Sequence, residues 1–149
     1  AYVALGKTEG AELACGGDRL TRDTDGYFMA PGVFLNTTND MRINREEMFA
    51  PLAAVIKVDS YSEALHVVND THFGLTSGIV TRSLSRATHF RRNARTGCVM
   101  VNLPTAGTDY HVPFGGRGDS SYGTREQGTY AAEFYTTVKT AYIASGTPE

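Results

Sequence analysis

Between residues 52 and 102 the apolar pattern alternates between a strand period and a helix period, and no other feature restricts the fold of this chain as much. Residues 52–58 form a short, nearly continuous apolar run with two valines and an isoleucine, the composition of a strand covered on both faces. Ser60-Tyr61-Ser62-Glu63 then has the form of a capping box, and Ala64, Leu65, Val67 and Val68 supply an apolar helix face. Residues 76–81 read as a second strand, Ser83 is placed to cap a helix running through Ala94, and residues 97–102 read as a third strand. Strand, helix, strand, helix, strand predicts a parallel sheet with flanking helices, because parallel neighbours need a crossover long enough to hold a helix.

The flanks are less regular. Residues 8–14 are helix-compatible and end at Gly16-Gly17, a helix-stop signal. Asp25-Gly26 marks a turn, and the apolar stretch 27–35 predicts extended chain, with Pro31 arguing against a central place in a ladder. A last helix is expected over residues 125–134, followed by a strand-favouring tail over residues 135–143 with Tyr135, Val138, Tyr142 and Ile143. Such an edge needs a partner strand.

Glycine and proline are scattered as turn punctuation, with no repeat or linker, so one domain is expected. The 149 residues, 41% of them hydrophobic, suffice for a core, and a net charge of -2 supplies no field for nucleic acid or an anionic membrane. No apolar run approaches the ~20 residues of a membrane span. Cys15 and Cys98 do not make a disulfide framework, so both are expected to be thiols and a cytoplasmic location is expected. Cys98, among valines and a methionine, reads as a small buried hydrophobe.

Several short signals carry no chemistry. His66, His72, His89 and His111 lack metal-ligand spacing, Asp23-Thr24-Asp25-Gly26 lacks the other ligands of a calcium loop, and no phosphate-cradling glycine loop is present. Arg117-Gly118-Asp119 spells the integrin-binding tripeptide, but a three-residue match within a loop carries no weight by itself. Arg82, Arg86, Arg91, Arg92 and Arg95 surround one helix and read as a solvated face or an interface rim.

Glu46-Glu47-Met48-Phe49-Ala50-Pro51 is different in kind. A carboxylate accepts both hydroxyls of a ribose, and an aromatic ring lies against a flat heteroaromatic one. Taken alone, Glu47 and Phe49 would read as a helix-terminal glutamate and a core phenylalanine. They are followed in order by Phe73-Gly74-Leu75, Gly97-Cys98-Val99-Met100-Val101-Asn102, Pro113-Phe114-Gly115-Gly116, Arg125-Glu126-Gln127-Gly128 and Tyr135-Thr136-Thr137-Val138-Lys139-Thr140. Upstream stand Gly6-Lys7-Thr8-Glu9-Gly10-Ala11, Cys15-Gly16-Gly17 and Gly26-Tyr27-Phe28.

In this order and at these separations, over almost the whole chain, the series resembles the C-terminal part of the aldehyde dehydrogenase superfamily. The resemblance implies an α/β fold, with residues 1–134 the C-terminal part of the catalytic domain and residues 135–149 an oligomerisation strand and tail. It implies contact of Glu47 and Phe49 with the nicotinamide half of NAD or NADP. It places Asn102 and Phe114 on the substrate side, with Asn102 opening a loop, residues 103–112, that borders the aldehyde entrance. Without the family, Asn102 reads as an asparagine closing a strand and bonding local backbone.

In the family a cysteine thiolate attacks the aldehyde, the adduct gives hydride to the nicotinamide, and water hydrolyses the thioester. The nucleophilic cysteine, the general-base glutamate and the dinucleotide-binding helix all belong upstream of Ala1. The chain is therefore expected to hold no catalytic residue, to be inactive alone, and to join a homo-oligomer through its last strand. The alternative is an assembly module without enzymatic function. Two departures stand out: Ala50 replaces the family's usual glycine, and Arg117-Gly118-Asp119 replaces a pattern with lysine two residues after Gly116. The stretch from Asp119 to Gly128 is similar to the branch acting on 2-oxoglutarate semialdehyde.

Overall fold

A computed structural model describes residues 1–146, which form two compact units, residues 1–71 and the residues from His72 onward. In the first, helix α1 (Tyr2–Thr8) precedes strands β1 (Glu12–Cys15), β2 (Arg19–Leu20), β3 (Phe28–Met29) and β4 (Gly32–Thr37). Helix α2 (Arg42–Arg45), strand β5 (Leu52–Ile56) and helix α3 (Tyr61–Asn69) complete it. The helix expected over residues 8–14 is corrected. α1 ends two residues before Gly10, whose φ of 92° permits a Schellman closure in which Ala11 N–H donates to Gly6 O and Gly10 N–H to Lys7 O. Residues 12–15 then become a strand because β4 offers them a ladder: β1 pairs antiparallel with β4, Leu13 facing Phe34, with an irregularity after Leu13.

β4 is the middle strand of the order β1-β4-β5, which corrects the expectation that Pro31 would keep this stretch out of a central position. Pro31 sits just before the strand, so its missing N–H is not asked for by the ladder. β5 runs parallel to β4 with Ala54 opposite Phe34, and its residues alternate between half-buried and exposed. The expected cover on both faces is absent. The core of this unit is Phe34, fully buried, with Ile43 and Ala11; Leu5, Met41, Met48 and Leu52 pack around it. A side chain of this size contributes about 1.5–3 kcal/mol by leaving water.

The second unit contains β6 (Thr76–Ile79), α4 (Leu84–Asn93), β7 (Cys98–Val101), 3₁₀ turns Gly118–Ser120 and Gly128–Tyr130, and α5 (Ala131–Phe134). β6 and β7 pair in parallel, Thr76 with Cys98 through Ile79 with Val101. The parallel pairing is thus β4 with β5 and β6 with β7, and not one ladder of the three expected strands. Both predicted caps form: Ser60 Oγ accepts from Glu63 N–H, and Ser83 Oγ from Arg86 N–H. Glu63 returns its carboxylate to Asp59 N–H instead of Ser60 N–H, a capping box shifted by one residue. Phe90 of α4 and Ala94, the residue that follows the helix, are both buried. A buried hydroxyl pair, Ser77 Oγ and Thr96 Oγ1 at 2.7 Å, joins the start of this layer to the strand, and Thr96 also donates to Cys98 O at 3.0 Å.

Two C-terminal expectations are corrected. The helix of residues 125–134 is reduced to its last turn, since Gln127 is extended (φ −116°, ψ 172°) and the helix can start only after it. Residues 135–143 form no strand: among the described residues no neighbour pairs with them, and Val138, Tyr142 and Ile143 are almost wholly exposed. A strand without a partner leaves its ladder groups to water and has no advantage over an open chain. Residues 147–149 lie outside the described residues.

Candidate functional site

In the first unit the chain leaves α2 into residues 46–50, where adjacent side chains take opposite duties. Glu46 is committed to the fold: its carboxylate accepts from Arg42 Nε at 2.7 Å and from Tyr2 OH at 3.0 Å. The Arg42 guanidinium, and after it the Tyr2 hydroxyl, hold the Glu46 carboxyl below the usual carboxylate range. Met48 turns inward and packs against the core. Glu47 and Phe49 remain. Glu47 is exposed, with no hydrogen bond or ion pair among the described residues.

Phe49 is 92% exposed and has φ 46°, so the reading as a core phenylalanine is overturned. The left-handed backbone costs a non-glycine residue about 1–2 kcal/mol. The exposed ring also forgoes the gain of burial. A loop that holds an aromatic ring into solvent at this expense is the kind of departure found at binding sites. The base of the loop is fixed by Arg45, which donates to Asp70 O at 2.6 Å and to Asp70 Oδ2 at 2.7 Å, while Asn39 Nδ2 donates to the same carboxylate. Arg45 holds the Asp70 carboxyl below its ordinary value.

In the second unit Asn102 is the first residue past β7, at φ 56°. Its backbone N–H donates to Ile79 O at 2.8 Å. Its side-chain amide faces Thr81: Oδ1 accepts from Thr81 N–H at 2.8 Å and Nδ2 donates to Thr81 O at 3.0 Å. It therefore closes the strand, and the backbone it bonds belongs to the neighbouring β6 side. The loop 103–112 that follows is largely exposed, Tyr110 at 85%.

Phe114 is half-buried, and its carbonyl accepts from Glu126 N–H at 2.9 Å. Gly115-Gly116 crosses the start of β7 so closely that a Cβ on Gly97 would lie 1.8 Å from Gly115 O. Arg125 Nη1 donates to Gly116 O at 2.6 Å and Gly116 N–H to Ser121 Oγ at 2.5 Å, which pins the crossing. Thr81, Arg125, Ser121, Asp70 and Tyr2 thus support the candidate site residues. Arg125 and Ser121 stood within stretches that carry the resemblance, and nothing local in the others signals these roles. The site residues fall as two pairs, Glu47 with Phe49 in the first unit and Asn102 with Phe114 in the second.

Other features are chemically quiet. Among the described residues no cluster of His, Cys, Asp and Glu is gathered as a metal requires, and no helix is long and apolar enough to cross a membrane. A shallow depression of about 550 Å³ lined by Leu84, Thr88, His89 and Arg92 lies along one face of α4 and includes neither Asn102 nor Phe114. Cys15 and Cys98 are thiols; Cys98 is half-buried, less enclosed than its sequence setting implies, with Sγ 3.8 Å from Gly115 O.

The model of the aldehyde dehydrogenase family matches residues 1–141. The chain belongs to the aldehyde dehydrogenase family. It is 42% identical over 144 residues to an alpha-ketoglutaric semialdehyde dehydrogenase of Bacillus subtilis, covering 95% of this chain and 30% of that protein. A betaine aldehyde dehydrogenase of Mesorhizobium japonicum is 39% identical over 147 residues, covering 97% of this chain and 30% of its own length. The fold is similar to that of the indole-3-acetaldehyde dehydrogenase of P. syringae, solved with NAD+ and IAA, at TM-score 0.87 and 38% identity over 95% of this chain and 28% of that one. The α/β fold is thus that of part of an aldehyde dehydrogenase, and the chain spans about 30% of the length of the curated relatives it matches.

Proposed function

We propose that this chain is the C-terminal part of an NAD(P)-dependent aldehyde dehydrogenase whose substrate is 2-oxoglutarate semialdehyde, and that its share is positioning without covalent chemistry. The observation that carries the reading is the division of Glu46 and Glu47: one carboxylate is held by Arg42 and Tyr2, while the other stands free beside an outward Phe49. A free acceptor and a bare ring suit a ribose diol and a flat heteroaromatic ring. The bound nicotinamide would accept hydride. Glu47 would fix its ribose and Phe49 its ring, and in the second unit Asn102, the loop 103–112 and Phe114 would border the aldehyde, each a positioning task. The semialdehyde is favoured by likeness to the Bacillus subtilis enzyme and by polar residues Thr105, Thr108, Asp109 and His111 in that loop.

Surface area supports a larger whole. A folded monomer of this mass exposes about 7,400 Å², and two separate halves together about 8,900 Å², whereas this chain exposes 11364 Å². The excess fits a chain that is covered elsewhere, by the rest of a polypeptide and by a second copy on residues 135–146, where Tyr135, Val138, Tyr142 and Ile143 are exposed. Two free thiols fit a cytoplasmic setting.

The test compares two neighbouring substitutions in the full-length protein. Glu46→Gln should lower thermal stability, because it weakens the acceptor held by Arg42 and Tyr2. Glu47→Gln should leave stability in place and raise the KM for NAD by about 10-fold or more, the loss of a charge-assisted hydrogen bond. If Glu47→Gln alters stability and spares cofactor kinetics, the assignment is wrong. The purified chain alone, assayed with NAD, NADP and a panel of aldehydes, should form no NADH or NADPH; saturable, thiol-dependent turnover would overturn the positioning role.

A further inference from the structure

Asn102 is held in a way that its proposed place beside the aldehyde entrance does not require. It is one of three non-glycine residues in the described chain with positive φ, the others being Asn36 and Phe49. Asparagine tolerates this conformation better than most residues, yet tolerance alone leaves its amide free to turn to solvent or ligand. Instead both ends of the amide are engaged by the backbone of one residue just past the end of β6, Thr81 N–H on Oδ1 and Thr81 O on Nδ2. The amide imitates the backbone of one more strand residue. It extends the β6–β7 ladder by a rung beyond Ile79 paired with Val101, while the main chain of Asn102 has already turned away.

What depends on this rung is the exit of the following loop. Residues 103–108 make no hydrogen bond among the described residues, and Leu103 is 65% exposed. The Thr105 methyl lies over Gly78, and the next hydrogen-bonded anchor is Tyr110, whose carbonyl accepts from Gly128 N–H at 3.2 Å. The direction in which the loop leaves the sheet is therefore set by the backbone of Asn102 and by the two bonds that stop that residue from rotating.

We infer that Asn102 is a positioning residue which, through its paired bonds to Thr81, sets the course of loop 103–112 and thereby the choice among aldehydes. The inference rests on the reading that this loop borders the aldehyde entrance. It replaces direct contact of the Asn102 amide with substrate by action through the loop. Asn102→Gly keeps the left-handed backbone and removes both bonds; Asn102→Asp keeps the acceptor for Thr81 N–H and loses the donor to Thr81 O.

The experiment uses the full-length enzyme with a carboxylate-bearing aldehyde and an apolar one. Asn102→Gly should raise the KM for the carboxylate-bearing aldehyde about tenfold, narrow the preference between the two aldehydes, and leave the KM for NAD in place; Asn102→Asp should be milder. A direct contact reverses that order, because a new carboxylate beside an anionic substrate harms more than an absent side chain. A purely structural role lowers the melting temperature and kcat at unchanged KM. Either result overturns the inference. Hydrogen exchange reads the clip independently of activity: the Thr81 amide should exchange faster in Asn102→Gly, and an unchanged rate means that the clip does not exist. If the wild-type enzyme oxidises no aldehyde, the functional reading fails and the specificity role with it, a result distinguishable from every outcome on the variants.

Discussion

Gly97→Ala is the substitution on which the second unit can be tested most sharply. The added Cβ would sit 1.8 Å from Gly115 O, 2.7 Å from Gly115 C and 2.8 Å from Gly116 Cα, and ordinary contact begins near 3.4 Å. All three atoms are backbone, so no side chain can swing aside. The crossing must retreat by about 1.6 Å, the difference between the first distance and ordinary contact. Such a shift carries the Arg125 bond to Gly116 O and the Glu126 bond to Phe114 O, now 2.6 and 2.9 Å, out of range.

Overpacking costs about 1–3 kcal/mol, and each of the two lost bonds about 1 kcal/mol, so the sum is about 3–5 kcal/mol. For a unit of this size 1 kcal/mol moves the melting temperature by roughly 4–8 °C, so a fall of about 12–40 °C is expected. Gly107→Ala is the control, since Gly107 has φ 83° but nothing within 4 Å, and it should cost only about 1–2 kcal/mol of backbone strain. Thermal unfolding followed by circular dichroism compares them. If Gly97→Ala melts with the wild type, or above Gly107→Ala, the segment 113–116 does not cross β7 where the structure places it.

Three further outcomes are expected. Asp70 has a folded-state pKa lowered chiefly by Arg45, so its stabilisation is full above the ordinary carboxylate pKa and is lost as pH falls through the lowered one; Glu46, lowered chiefly by Arg42, behaves alike. Unfolding midpoints measured from neutral to strongly acidic pH should fall only toward the acid end, and Asp70→Asn should flatten part of that slope. Thr96→Val removes the partner of a buried Ser77 hydroxyl and should cost about 1–3 kcal/mol in urea unfolding, and a neutral result would mean that water already reaches Ser77. Light scattering of the chain with and without residues from Tyr135 onward tests the assembly proposal: removal should lower the molar mass, and equal oligomeric state for both forms would show that the tail does not join copies.

The elements read correctly from the sequence are those whose cause is local. Ser60 and Ser83 cap their helices because the acceptor lies three residues from the donor it satisfies, and strands form within the runs 52–58, 76–81 and 97–102, each shorter than the run. The ordered motifs were equally legible, and they gave the family. What failed depended on partners distant in the chain. Residues 12–15 are a strand because β4 lies beside them, and residues 135–143 are not a strand because nothing in the described chain does.

The same division runs through the site. The types and spacing of Glu47, Phe49, Asn102 and Phe114 were visible in the sequence, but two adjacent glutamates look alike until Arg42 and Tyr2 claim one of them. Whether an asparagine amide faces solvent or the Thr81 peptide, and whether Gly97 is a turn or the floor beneath Gly115, depends on separations of 21 and 18 residues that only the folded chain brings to contact. Composition and spacing determine which groups are supplied; the burial, hydrogen-bond geometry and backbone strain that decide which of them remain free for a ligand belong to the tertiary structure.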